Sequence, residues 1–184
     1  AGTFDDAARG FLEQEALPQL ELAANRPNIQ IVRKKLRDGL LGDVSGEKAI
    51  ADANGAALSF MESLAANAEA DPAVRVNAVL FIGELLGADR KPWRPAADAL
   101  VKLVSSADTP LALRIAAVVG LKRCVDATKG AAEDQKQLAA SVVSAVVAVL
   151  GEKPPAEAVD ARDWLASRCL ELLPPLKPTG EGIV

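Results

Sequence analysis

The chain has 184 residues, enough for one domain or a short repeat array with a sizeable core. Half of its residues are hydrophobic, only 3% are aromatic, and the net charge of −4 comes from interspersed acidic and basic residues. This composition excludes a disordered chain and argues against a surface that binds polyanions. Histidine is absent, which removes the commonest general base and the commonest transition-metal ligand.

Helix caps and helix breakers recur along the chain, whereas strand signals are nearly missing. The pattern predicts helices over residues 4–24 (kinked near Pro18), 28–41, 47–69, 72–86, 95–106, 110–126, 133–150 and 160–173. Proline directly after Asp or Thr suits the first turn of a helix, where an N–H group has no partner. We therefore expect one helical domain over residues 1–173, followed by a flexible tail over residues 174–184. The longest nearly apolar stretch, residues 138–150, is too short to span a bilayer, so no membrane association is expected.

An arginine recurs near the start of every second predicted helix. Residues 74–86, VRVNAVLFIGELL, align without gaps to residues 161–173, ARDWLASRCLELL, with arginine second and Glu-Leu-Leu at the end of both. Two further segments carry the same arginine, and the four residues, spaced by 42, 39 and 48 positions, are Arg33, Arg75, Arg114 and Arg162. A period near 40 residues is typical of solenoids built from two-helix repeats.

The segment DPAVRVNAVLFIGELLG, residues 71–87, resembles the second helix of a HEAT repeat, with its D-P-x-V-R-x-x-A-x-x-x-[LI]-G pattern. The resemblance is close there, fair at residues 108–125 and weaker at residues 28–42 and 160–173. It implies an all-α fold, an α-α superhelix of about four helix pairs of the HEAT-like, armadillo type. Such arrays serve many functions, so only the architecture follows from it.

The recurring arginines interrupt apolar runs, and a buried guanidinium needs carboxylates or carbonyls to offset its desolvation. The aspartates near the helix starts, Asp71, Asp108 and Asp160, are the expected partners. In the HEAT family such Asp and Arg residues form a ladder between neighbouring repeats. The resemblance therefore implies a structural role for Arg33, Arg75, Arg114 and Arg162 together with these aspartates.

A partner-binding surface is expected on the second helices, which line the concave side of a two-helix solenoid. Its exposed positions should be those left polar within apolar runs: Lys34, Arg37, Asn77, Glu84, Lys122, Arg123, Arg168 and Glu171. Their mixed charge suits a protein better than a phosphate backbone, although they could also serve only to keep the array soluble. Trp93, in the loop DRKPWRP, is expected either to project as an aromatic anchor or to fold back over the joint between repeats.

Other candidate residues have structural alternatives. The basic cluster from Arg26 to Arg37 could bind an acidic partner or form a solvated helix face. Asp163 and Trp164 faintly resemble the pair that HEAT-like DNA glycosylases use, but Trp164 could equally pack between repeats. Cys124 and Cys169 lie in apolar helical runs, where filling the core is their default role.

These patterns predict a non-enzymatic scaffold that binds another protein, without catalytic residues, a cofactor or a metal. An accessory or regulatory helical domain of a larger protein is the alternative. A HEAT-like protein of nucleic-acid binding or DNA repair is a third hypothesis, which the net charge of −4 disfavours.

Overall fold

The computed structural model describes residues 4–128, 132–153 and 158–176, except the side chains of residues 41, 43 and 132–135. Within this part the chain forms eight α-helices and no strand, which confirms the all-α prediction. The chain divides into two compact units, Ala1–Ala96 and Ala97–Val184, where the sequence had predicted one helical domain.

The N-terminal segment differs from the single kinked helix that we predicted over residues 4–24. An α-helix, α1 (Asp6–Phe11), continues into a π-helical turn, Leu12–Ala16, and a 3-10 turn, Leu17–Leu20. Pro18 cannot donate an N–H to the carbonyl four residues earlier, so regular α-helical bonding cannot continue through it. The chain then extends at Leu22 and forms a second 3-10 segment, Ala23–Asn28.

The rest of the first unit contains α2 (Ile29–Asp43), α3 (Glu47–Ala66) and α4 (Pro72–Ile82). Helix α4 begins as predicted, because Asp71 accepts a hydrogen bond from Ala73 N at 2.8 Å and proline occupies the first turn. Helices α3 and α4 pack against each other. Their apolar faces form the core of this unit, with Ala57, Met61, Leu64, Val74, Ala78, Phe81 and Ile82 buried.

The second unit contains most of α5 (Arg94–Ser105), then α6 (Leu111–Ala127), α7 (Ala132–Gly151) and α8 (Val159–Leu170). Helix α8 packs against both α6 and α7. At the start of the predicted flexible tail, residues 174–176 continue the turn after α8, and the apolar side chain of Leu176 is buried. The remainder of that predicted tail, residues 177–184, lies outside the described residues.

Candidate functional site

Two of the recurring arginines make the same contact, and a third contacts a helix end in another way. Arg75 and Arg114 each donate through Nε to the backbone carbonyl ten residues earlier, near the end of the preceding helix: Ala65 O at 2.9 Å and Val104 O at 3.0 Å. Arg162 donates through Nη2 to the end of α7, to Leu150 O, to Val149 O at 3.1 Å and to Glu152 O at 3.3 Å, and its Nε has no partner among the described residues. These carbonyls have no partner within their own helix, and a cation at this end is favoured by the helix dipole. The arginine therefore ties the two helices of each pair together.

The carboxylates around these arginines are not the expected aspartates. The Asp71 carboxylate caps α4 and lies 3.3 Å from Arg26, while Asp108 and Asp160 are exposed. Arg114, only 5% exposed, instead makes two hydrogen bonds with Glu152, one of them at 2.9 Å. The aspartates lie at or near the helix starts, where Asp71 is a cap and the other two are solvated. The guanidinium groups instead extend back to the ends of the preceding helices.

Arg33 belongs to a different cluster, between α2 and α4. Its guanidinium donates to Asn77 Oδ1 and lies 3.4 Å from the Glu84 carboxylate, to which Arg37 adds a second cation at 3.8 Å. Asn77 is buried and also donates to Ala73 O at 2.8 Å, and the Glu84 side chain is only 8% exposed. Asn77 and Glu84 are therefore not exposed, although the sequence had predicted that they would be, because α2 covers this part of α4.

The other predicted binding residues are distributed over both units. In the first unit Lys34 is exposed, and Arg37 is half-buried beside Asp38 at 2.7 Å. In the second unit the exposed residues are Lys122 (paired with Asp126 at 3.3 Å), Arg123, Arg168 and Glu171 (paired with each other at 3.0 Å). Most of these charges already have an intramolecular counterion, which is the usual state of a solvated helix face.

Trp93 packs within its own unit and does not project from the loop. Its backbone N–H donates to Leu85 O at 3.0 Å, and its half-buried ring lines a cavity of about 390 Å³ with Ile50 and Ala51 of α3. Trp164 on α8 is the more accessible tryptophan, at 47% exposed. The Arg168 guanidinium lies 5.5 Å from the centre of its ring, within cation–π range.

Helix α7 presents aliphatic side chains on two opposite faces. Leu138, Val142, Val146 and Val149 recur at helical spacing and are buried within the second unit. A second stripe, Val143, Val147 and Leu150, is exposed, with Val147 at 61%. The sequence contained this signal, since residues 138–151 are free of charge. Apolarity all around a helix indicates burial but does not say which face its own unit covers.

A half-open groove lies in the first unit between the N-terminal helical segment and α2. Its volume is about 650 Å³. Apolar residues form most of its lining, and four polar side chains complete it: Glu15, Gln19, Asn25 and Lys35. The sequence did not predict this groove. One of its walls contains the π-helical turn Leu12–Ala16, whereas the sequence predicted one continuous helix there.

The two cysteines are buried, and burial raises the pKa of both the Cys124 and the Cys169 thiol to about 11. Both are therefore protonated at neutral pH and have little nucleophilic or metal-binding character. Within the residues that the structure describes, no group of three or more Cys, Asp or Glu side chains is arranged to hold a metal ion. The helices described here are also too short or too polar to cross a membrane.

No protein-family model matches the chain, and no curated protein or solved structure matches it significantly.

Proposed function

We propose that the chain is a short HEAT-like helical repeat protein that binds another protein and has no enzymatic activity. The repeat assignment is supported by the Nε contact that Arg75 and Arg114 share with the carbonyl ten residues before each, and by the contact of Arg162 with the end of the preceding helix. Equivalent side chains making equivalent backbone contacts are expected of repeated two-helix units. The period near 40 residues and the HEAT-like pattern at residues 71–87 support the same assignment.

One observation carries the proposed binding function, namely the exposed stripe Val143, Val147 and Leu150 on α7. Contiguous exposed apolar surface is unfavourable in water and marks interaction sites in folded proteins. The polar residues of the second helices do not give an equivalent argument, because Asn77 and Glu84 are buried and most of the others are paired internally. Trp164 and Arg168, both of residue types that concentrate binding energy, add a second anchor on α8.

The test uses site-specific photo-crosslinking from position 147 in cells that express the full chain. We expect one dominant crosslinked protein, identified by mass spectrometry, whose yield falls at least tenfold when Val143→Asp is added. Lys122→Asp, on an exposed face of α6, is the matched control and should leave the yield unchanged. Equal yields with and without Val143→Asp would contradict the proposal. A crosslink between two copies of the chain would change the partner from another protein to the chain itself.

A further inference from the structure

The groove in the first unit has the dimensions of a ligand site. Its volume of about 650 Å³ lies within the range of about 300–1,000 Å³ that is typical of small-molecule pockets. One wall is the α2 stripe Val32, Leu36, Gly39 and Leu40, continued by Val44 directly after the helix. Val44 is twelve positions after Val32, so this wall is about 18 Å long at 1.5 Å per residue.

The opposite wall is formed by the N-terminal helical segment. Phe4, Ala8 and Phe11 supply its first part, and the π-helical turn supplies Leu12 and Glu15. A π-helical turn is rare and is frequently found at functional sites. The Phe11 side chain is 59% exposed, so part of the apolar wall is in contact with water. An apolar ligand that covers this wall would remove that surface from water.

The length of the groove suits an extended hydrocarbon chain. Its apolar lining continues for about 18 Å along α2, so a single acyl chain can run the length of the apolar walls.

Two opposite charges, Glu15 and Lys35, line the same groove. Glu15 lies shortly before the bend in the chain, and Lys35 lies in the second turn of α2 after it. Neither side chain forms an ion pair with any other residue in the described part of the chain. Two amide side chains lie nearby, with Asn25 Nδ2 donating to Gln19 O at 2.8 Å. A ligand here would meet one cation, one anion and hydrogen-bonding amides.

We propose that the groove binds a single-chain amphiphile with a zwitterionic head group. The acyl chain lies along Leu36 and Leu40 of α2, the anionic group of the head contacts the Lys35 ammonium, and its cationic group contacts the Glu15 carboxylate. A simple fatty-acid anion satisfies Lys35 but leaves Glu15 as a like charge beside the carboxylate, which opposes binding. A neutral head group satisfies neither charge.

Isothermal titration with monomeric lipids tests this assignment on the full chain. The probes are a lysophosphatidylethanolamine, the fatty acid with the same acyl chain and the corresponding monoacylglycerol, all below their micelle concentrations. We expect the zwitterionic lipid to bind at least tenfold more tightly than the other two. No saturable binding of the zwitterionic lipid, or equal affinity for all three probes, would overturn the proposal.

Matched charge variants locate the binding site. Lys35→Glu and Glu15→Lys should each weaken binding of the zwitterionic lipid about tenfold, whereas Lys34→Glu, the same change beside the groove, should leave it unchanged. The double variant Glu15→Lys, Lys35→Glu presents the charges reversed and should recover most of the affinity. Circular dichroism and the denaturation midpoint check that each variant folds. Wild-type affinity in the folded Lys35→Glu variant, or equal loss in Lys34→Glu, would place the lipid elsewhere.

Discussion

Arg75 and Arg114 make the same contact with a preceding helix end, one in each unit, but their surroundings differ. Both donate through Nε to the carbonyl ten residues earlier. Arg75 is half-buried, and this carbonyl is its side chain's hydrogen-bond partner in the described residues, whereas Arg114 is buried and bound on its other side by Glu152. The contact with the helix end is thus the common feature of the position. The carboxylate accompanies burial, because a desolvated guanidinium needs a counterion.

The two units can be followed separately, which makes this difference measurable. Trp93 lies in Ala1–Ala96 and Trp164 in Ala97–Val184, and the chain has no other tryptophan. A Trp93→Phe background therefore reports the second unit by fluorescence, and a Trp164→Phe background reports the first. Each unfolding free energy is then that of the unit that contains the substitution.

The largest effect is expected for Arg114→Met. The substitution keeps an apolar side chain of similar length but leaves the Glu152 carboxylate, only 20% exposed, without its bidentate partner. We expect a loss of about 3 kcal/mol in the unfolding free energy of the second unit. This is the lower end of the range for removing one partner of a buried ion pair, because the Glu152 carboxylate stays in partial contact with water. The measurement is urea denaturation followed by Trp164 fluorescence.

A second substitution separates the pair from the helix-end contact. Glu152→Met in the Arg114→Met background removes the unpaired carboxylate, so it should recover at least half of the lost stability. An Arg114→Met midpoint equal to that of the wild type would show that the ion pair contributes nothing, and the difference between the two units would then be only geometric.

The second-largest effect is expected at alkaline pH, which should lower the stability of the second unit because both cysteines lie in it. The Cys124 thiol, with its pKa raised from 9.0 to about 11 by burial, stays protonated in the folded chain when the unfolded chain has already lost its proton. The unfolded state then binds fewer protons, so stability falls as pH rises from about 9 to 11. At pH 10.5 this amounts to about 2 kcal/mol for Cys124.

Cys124→Ala provides the measurement. Its unfolding free energy, compared with that of the wild type, should fall less steeply between pH 8.5 and 10.5 by about this amount. The cavity left by the smaller side chain lowers both ends of the curve equally and does not affect the slope. Parallel pH curves for the two proteins would mean that the thiol ionises freely in the folded state.

How well the sequence predicted the structure depended on what each pattern encodes. Helices from α2 onward were predicted to within a few residues, because their ends are set locally by Asp-Pro, Thr-Pro and glycine signals. The N-terminal segment was missed, since a helix that passes into a π turn and then a 3-10 turn containing Pro18 has the same apolar spacing as a kinked one. The candidate residues Asn77 and Glu84 were misplaced for a nonlocal reason. A polar side chain within an apolar helix is exposed or buried according to whether another helix covers it, and here α2 does.

Arg75→Met should have a smaller effect than Arg114→Met. The loss is one charge-assisted hydrogen bond to the Ala65 carbonyl, which can be partly replaced by water because the position is only half-buried. We expect the unfolding free energy of the first unit to fall by about 1 kcal/mol, measured by Trp93 fluorescence in the Trp164→Phe background. Arg75→Lys is the control, since an ammonium can still reach the helix end and should retain part of the stability. A loss as large as that of Arg114→Met would show that the carbonyl contact, and not the carboxylate, dominates in both units.

The smallest effect is expected for the exposed pair Lys122 and Asp126 on α6, which calibrates the comparison. Both side chains are more than a third exposed, and their charged atoms lie 3.3 Å apart at i,i+4 spacing. In water such pairs couple by about 0.3–0.5 kcal/mol, and salt screens them. A double-mutant cycle with alanine at both positions should therefore give a coupling near this value at low salt and close to zero in 1 M NaCl. The same cycle at Arg114 and Glu152 should give several times more and lose little of it in salt, because the buried pair is shielded from ions. Equal coupling at the two sites would mean that burial does not strengthen the Arg114 pair, and the difference between Arg75 and Arg114 would then be one of exposure without an energetic consequence.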